Sequence, residues 1–377
     1  MSIAVGLVGY GLSARILQRP LIEAAGMNIV AAVTHQHEAL RQNLPGAQAL
    51  PDLASLLALP RLDLVVIATP NQLHFAQALA ALEAAKHVVI DKPMALDVPQ
   101  CDRLIEVADA RGRALTVFHN RRWDSDFLTL RQLIASHALG PIVTFEARWD
   151  RYRPTVPDRW RERADHGGGV LYDLGAHLID QALCLFGPPE WIEADVFIQR
   201  AGASVDDAFQ IRMGQGTRRI VLESSSIAAD ASLRYTAHGL KASFRKSGLD
   251  VQEQQLRDGL PVDDPAFGVE PPAQWGTLIP GTTASDAGAN ANANAPRAVR
   301  PERGNWSEFY RILRHCIESN AFVSPKPGPA PVSGSAPVPV PVPVPVLVPV
   351  PAGEARAVIR LIEAARESSA TGRRLLL

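Results

Sequence analysis

Residues 1–17 read MSIAVGLVGYGLSARIL, and what this stretch becomes decides the fold. It is apolar enough for a leader peptide. No basic region precedes the apolar run, however, and Gly9 and Gly11 interrupt it where a helix needs continuity. Ile3–Val8 instead reads as a short, fully buried strand closed by a Gly-rich turn. Gly9-Tyr10-Gly11-Leu12-Ser13-Ala14 is GxGxxA, directly after that strand and directly before a helical pattern. In such a turn the first glycine permits the tight bend and the second lets backbone approach a pyrophosphate. The small third residue lets helix and strand pack closely, with the helix N-terminus facing the anion. Glycines also mark ordinary turns; the strand–turn–helix context favours a dinucleotide site.

Outward from this turn, strand and helix patterns alternate. Strands are expected at Asn28–Val33, Asp63–Ala68, His87–Ile90 and Ala114–Phe118. Helices are expected at Ser13–Ala25, from the Asp52 cap to Leu59, and at Phe75–Ala85 and Pro99–Arg111. This predicts an α/β, doubly wound parallel sheet over residues 1–120, a Rossmann-type dinucleotide domain. After a helix near Asp126–Ser136 the grammar changes. VTFEARWDRY (143–152) alternates strictly, and strand-like segments follow in series, so residues 121–377 read as an α/β domain with a largely antiparallel open sheet. Two insertions of low complexity interrupt it, at about 281–300 and 325–351. The first reads as a polar loop. The second, with PVPVPVPVPVLVPVPA at 337–352, reads as an extended spacer, because proline removes every second backbone donor. A helix is expected after it, from the spacing of Ala355, Val358, Ile359, Ile362 and Ala365.

Composition excludes several function classes. The 377 residues are 47% hydrophobic and 20% charged, with a formal net charge of −1, so neither nucleic acid nor an anionic membrane is expected as partner. Cys101, Cys184 and Cys316 form no CxxC pair, which fits a reducing, cytoplasmic setting without structural zinc.

Polar groups gather at the ends of the parallel strands, where a ligand crevice is expected. Thr34 and His35 end the second strand, where a carboxylate would grip the 2′-hydroxyl of NAD. Their donors favour NADP over NAD, unless they are simply a solvated strand end. Thr69, Pro70, Asn71 and His74 follow the strand Asp63–Ala68, and Asp91 and Lys92 follow His87–Ile90. Downstream, Asp173 and His177 are four apart, on one face of a helix preceded by three glycines. Alone, such a pair reads as structural or catalytic; no ligand set completes a metal site around it. Asn120, Arg121, Arg122, Asp150, Tyr152 and Arg153 are either the wall of a pocket for a polyhydroxylated molecule or a salt-bridged surface.

GxGxxA, ATPNxxH at 68–74 and Asp91-Lys92-Pro93 together resemble the Gfo/Idh/MocA oxidoreductases, which usually carry EKP at the last motif. The likeness extends through VFHNRRWDSDFLTL, RWDRYRP, RWRERADHGGGVLYDLGAHLIDQALCLFG, HGLKASFRKSGLDVQEQQLRDG and GNWSEFY, and leaves out only the two insertions. It resembles in particular a subgroup of NADP-linked scyllo-inositol dehydrogenase-like enzymes. The resemblance implies hydride transfer between NAD(P) and a hydroxyl or keto group of a sugar or cyclitol. Lys92, Asp173 and His177 match the family's catalytic residues. On that reading His177 is the acid–base, Lys92 holds the hydroxyl oxygen, and Asp173 orients the imidazole and favours its charged form. The expected partners are a small polyol or sugar and further copies of the chain, joined through the C-terminal sheet.

Overall fold

Val5–Val8 are buried on both faces, so β1 (Ala4–Val8) lies inside a sheet rather than at its rim. The computed structural model describes residues 2–230, 233–281, 295–319 and 348–377. β1 pairs in parallel with β2 (Asn28–Val33) on one side and with β4 (Leu64–Ile67) on the other. The edges are β3 (Gln48–Leu50) on the side of β2, and β5 (His87–Ile90) followed by β6 (Leu115–Val117) beyond β4. The order β3-β2-β1-β4-β5-β6 is that of a dinucleotide-binding sheet, with its switch point between β1 and β4.

The connecting helices are α1 (Arg19–Ala24), α2 (His37–Asn43), α3 (Leu53–Leu57), α4 (His74–Glu83) and α5 (Val98–Arg111). Asp52 caps α3 by accepting from the Ser55 amide at 2.8 Å, as its sequence position predicts. The helix expected from Ser13 begins instead as a π-type turn, Ser13–Gln18, before α1 continues it. Sequence reading passed over α2 and β3. Leu40 is the single buried residue of α2, and two of the three residues in β3 are exposed, so neither carries an apolar period.

The second sheet follows α6 (Ser125–Ala135) and begins with β7 (Ile142–Arg148). After α7 (Ala176–Phe186) come β8 (Trp191–Phe197), β9 (Ala208–Gln215), β10 (Arg218–Ser225), β11 (Leu233–Gly239) and β12 (Ala242–Ser247). Then come α8 (Gln252–Arg257), β13 (Gly276–Pro280), β14 (Arg297–Val299), α9 (Ser307–Ser319), α10 (Ala352–Thr371) and β15 (Leu375–Leu376). The nine strands run β14-β13-β12-β11-β7-β10-β9-β8-β15, and β7 with β10 is the parallel pair among antiparallel neighbours. Phe145, Ala147, Ile211, Met213, Ile220 and Leu222 are buried on one face, against which α7 and α10 pack.

Helices α9 and α10 also reach back to the first sheet. Phe309 and Tyr310 of α9 pack on Phe118 with ring centroids 5.0 and 5.8 Å apart, and the Tyr310 hydroxyl donates to Gln18 at 2.5 Å. The end of the proline-valine segment corrects the expected spacer. Val350 is buried and its carbonyl accepts from the Thr116 hydroxyl at 2.8 Å, docking the entry to α10 on β6. Residues 325–347 and 282–294 of the two insertions lie outside the described residues, whereas 297–299 pair as β14 with β13.

Candidate active site

The turn after β1 is built as its glycines require. Gly9 has φ +87°, and a Cβ there would stand 2.8 Å from the Ala68 carbonyl oxygen. Gly11 faces open space, with nothing within 4 Å of where its Cβ would be. Ala14 is fully buried against the strand, and the Ser13 hydroxyl accepts from the Gln18 amide at 3.0 Å. Leu12 is exposed at the mouth. Free backbone at Gly11 and a helix start together fit the pyrophosphate of a dinucleotide. Tyr10 is the exception among the expected contacts. Its side chain is 2% exposed in the core, so it offers a ligand backbone only.

At the end of β2, Thr34 is buried and its hydroxyl accepts from the Gln36 amide at 2.9 Å, while His35 is exposed. Thr69 donates to Gln77 at 2.7 Å, and Asn71 reaches the Gly167 carbonyl at 2.8 Å, tying the two halves of the chain together. His74 corrects its expected role as a cofactor contact. It is fully buried, and its ring nitrogens face the carbonyls of Pro93 at 2.8 Å and Thr69 at 3.0 Å. Burial pushes its pKa down, and its geometry makes it a brace between the loops after β4 and β5. Asp91 folds back to accept from the Lys92 amide at 2.8 Å.

From the second half of the chain come three glycines, 167–169, then a π-type turn, Leu171–Gly175, running into α7. Gly169 has φ +112°, and a Cβ there would sit 2.3 Å from the Asp206 carboxylate, which accepts from the Leu171 amide at 2.7 Å. This turn delivers Asp173 to Lys92: Nζ donates to the Asp173 carboxylate at 2.8 Å and to its carbonyl at 2.6 Å. Arg151 at 3.1 Å and Arg161 at 3.4 Å complete a cage of three cations around one carboxylate. Burial alone would raise the Asp173 pKa, but Lys92, Arg161 and Arg151 together hold it well below the usual carboxylate range.

His177 lies deeper, stacked on Trp149 with ring centroids 5.6 Å apart and edge-on to His119 at 6.1 Å. Its Nδ1 is buried without a hydrogen-bond partner among the described residues. Burial, then Lys92, Arg121 and His119, push its pKa well below the ordinary histidine value, and Asp173 opposes them with a smaller effect. The expected arrangement, in which Asp173 orients and charges the imidazole, is therefore corrected. The carboxylate is engaged with cations, and no hydrogen bond joins it to His177.

Gly11, Ser13, Thr69, Asn71, Asp91, Lys92 and Asp173 line one cleft of about 530 Å³. Trp160 and Arg161 line it as well, and neither is among the residues the sequence singles out. A second hollow of about 330 Å³ adjoins it at Asp173 and takes in Arg151 and Arg153. Of the expected substrate residues, Arg153 alone borders it. Arg121 is buried between Trp149 and Trp306, 4.7 and 4.8 Å from their ring centroids, and pairs with Asp124 and Glu253. Arg122 grips Asp180 at 2.6 Å and Glu354 at 2.5 Å. Asn120 is buried, Asp150 accepts from the Ser225 amide at 2.8 Å, and Tyr152 is 61% exposed. None of these five borders either hollow: Arg121, Arg122 and Asp150 are spent on ion pairs or a strand end, Asn120 is buried and Tyr152 faces solvent.

Comparison with known proteins agrees with this geometry. The family model for oxidoreductases with an NAD-binding Rossmann fold matches residues 3–119, and that for the GFO/IDH/MocA C-terminal domain matches residues 127–245. The chain is 43% identical over 266 residues to the uncharacterized oxidoreductase YdgJ of Escherichia coli, covering 70% of this chain and 77% of that one. It is 35% identical over 377 residues to the scyllo-inositol 2-dehydrogenase (NADP(+)) IolW of Bacillus subtilis, covering 100% of this chain and 96% of the relative. The solved structure of YvaA from Bacillus subtilis superimposes with a TM-score of 0.88 at 34% identity, over 100% of this chain and 98% of that one. YPO2259 from Yersinia pestis gives 0.86 at 36%, over 100% and 97%. With both domain models matched and a relative aligned along the whole of this chain, the chain belongs to the Gfo/Idh/MocA oxidoreductase family.

Proposed function

We propose that this oxidoreductase interconverts a secondary hydroxyl and a ketone on a sugar or cyclitol, with NADP favoured over NAD. One observation carries the reading. Lys92 Nζ is fixed at 2.8 Å from Asp173 in the cleft that also contains the open backbone of Gly11, so a proton-handling group stands beside the dinucleotide cradle. The relative IolW, named for NADP-linked scyllo-inositol oxidation, supports the substrate class and the cofactor choice. The absence of a carboxylate at Thr34-His35-Gln36 supports the latter as well.

A bound nicotinamide supplies the hydride acceptor for oxidation and the donor for reduction. The chain's own groups do the rest. The Lys92 ammonium donates to the substrate oxygen and stabilises negative charge as the O–H proton leaves. Neutral His177, held uncharged by burial and by the cations around it, accepts that proton in oxidation and returns it in reduction. Asp173 positions Lys92 by hydrogen bond, and Trp149 fixes the plane of the imidazole. A dinucleotide-binding regulator without catalysis would have no need of this constellation. Calorimetric titration with NADP and NAD, followed by a polyol panel read as nicotinamide absorbance, tests the proposal. Tight NADP binding with turnover of a cyclic polyol is expected. Binding without turnover on any polyol would favour the regulator.

A further inference from the structure

The hollow beside Asp173 holds more positive charge than the reaction proposed above uses. Its acids are already matched. Glu162 holds Arg159 at 2.7 Å and Arg200 at 2.8 Å, Asp207 holds Arg200 at 2.8 Å, and Asp206 holds Arg366 at 3.0 Å. Two surpluses remain. Asp173 is a single carboxylate for Lys92, Arg151 and Arg161. Arg153 borders the hollow with no ion-pair partner among the described residues. Burial and the repulsion of Arg151 and Arg159 lower its pKa, and Asp173 and Glu162 offset this only in part. Arg161 borders both hollows and stands within reach of the Gly-rich side, where the dinucleotide's own phosphates take up positive charge. Arg151 and Arg153 border only the second.

We propose that this hollow binds an anionic substituent, a carboxylate or a phosphate, carried by the sugar or cyclitol ring whose hydroxyl reacts at Lys92, with Arg153 and Arg151 as its ligands. The proposal rests on the reading of function given above and narrows its substrate class to acidic polyols. A guanidinium pair suits such a group because each presents a planar fork to two oxygens. Arg153 is exposed, so opposite a neutral polyol its charge is met by water alone, whereas an anionic substituent would pair with it directly.

The test compares kcat/KM for D-glucuronate, D-glucose 6-phosphate and D-glucose with wild type, Arg153→Gln and Arg153→Lys. One of the anionic sugars should exceed D-glucose by about tenfold or more, the scale of one charge-assisted hydrogen bond. Preference for glucuronate assigns a carboxylate, and preference for the 6-phosphate assigns a phosphate. Arg153→Gln should abolish most of that ratio and Arg153→Lys should retain part of it. A wild-type enzyme that uses D-glucose as well as either acid, or a ratio unmoved by Arg153→Gln, overturns the proposal. If no sugar is turned over, it is the reaction assignment that has failed. Calorimetry of the NADP-loaded protein then decides the hollow: binding of an anionic sugar that Arg153→Gln removes supports it, and no binding overturns it.

Discussion

Replacing Asp173 by asparagine keeps the shape of the side chain and removes its charge from the centre of three cations. The amide oxygen accepts from Lys92 (2.8 Å in the wild type) or from Arg151 (3.1 Å) but not from both, because the amide NH2 that replaces the second oxygen cannot accept. A hydrogen bond to a charged group is worth about 1.5–3 kcal/mol, so losing one of the two contacts costs about that much. The side chain is 18% exposed, and solvent reduces this to about 2 kcal/mol, read as a lower urea midpoint in tryptophan fluorescence. Asp173 has a carboxyl pKa held below its unfolded value, so its contribution is present above about pH 4 and is lost as pH falls through the folded pKa. The stability gap between wild type and variant should therefore be constant from neutral pH down to about pH 4 and shrink below it. In catalysis, freeing Lys92 from its anchor should lower kcat by about 10²-fold, the usual consequence of misplacing a reacting group by about 1 Å. The acid limb of the kcat profile, assigned to His177, should stay where it is or move slightly to lower pH, because Asp173 influences that imidazole less than burial, Lys92, Arg121 and His119 do and acts to raise its pKa. If Asp173 instead oriented His177 in the manner of a catalytic triad, the loss would approach ~10⁴-fold. That loss, or a kcat equal to wild type, would refute the reasoning.

Three further outcomes follow from individual positions. Gly11→Val should change folding stability by less than about 0.5 kcal/mol, since its Cβ meets nothing within 4 Å, yet weaken dinucleotide binding about tenfold or more by calorimetry. His74→Phe should destabilise the protein by about 1–3 kcal/mol in urea unfolding and lower kcat as well, because whichever of the Thr69 and Pro93 carbonyls accepts the imidazole N–H loses its donor beside Lys92. Thr34→Asp should weaken NADP binding by about tenfold or more while leaving NAD little changed, through repulsion of a 2′-phosphate; equal effects on both would remove Thr34 from the ribose position.

The sequence made the first sheet legible because its signals are local. Ile3–Val8, Asn28–Val33 and His87–Ile90 are short buried runs closed by polar or glycine turns, and the strands follow them within a residue. The pairing inside the site was less legible. The spacing of Asp173 and His177 suggested that they serve each other, but the partner of Asp173 is Lys92, 81 residues away, which no spacing rule reports. Arg151 and Arg161 look like ordinary surface arginines until the fold brings them to one carboxylate. His74 and Tyr10 failed in the opposite direction. Each sits in a motif at a strand end, yet the chain turns both side chains into the interior, where His74 braces two loops and Tyr10 packs.

The most direct measurement is kcat and NADP affinity, side by side, for wild type and Lys92→Met with a cyclic polyol as substrate. Lys92 comes from the end of β5 and meets Asp173 from the turn before α7, so it can act on a substrate oxygen without contributing to the fold of the Gly-rich cradle. The account predicts that wild type reduces NADP⁺ and that Lys92→Met loses about 10²–10⁴-fold in kcat while NADP binds as before. Turnover by Lys92→Met at the wild-type rate would contradict it.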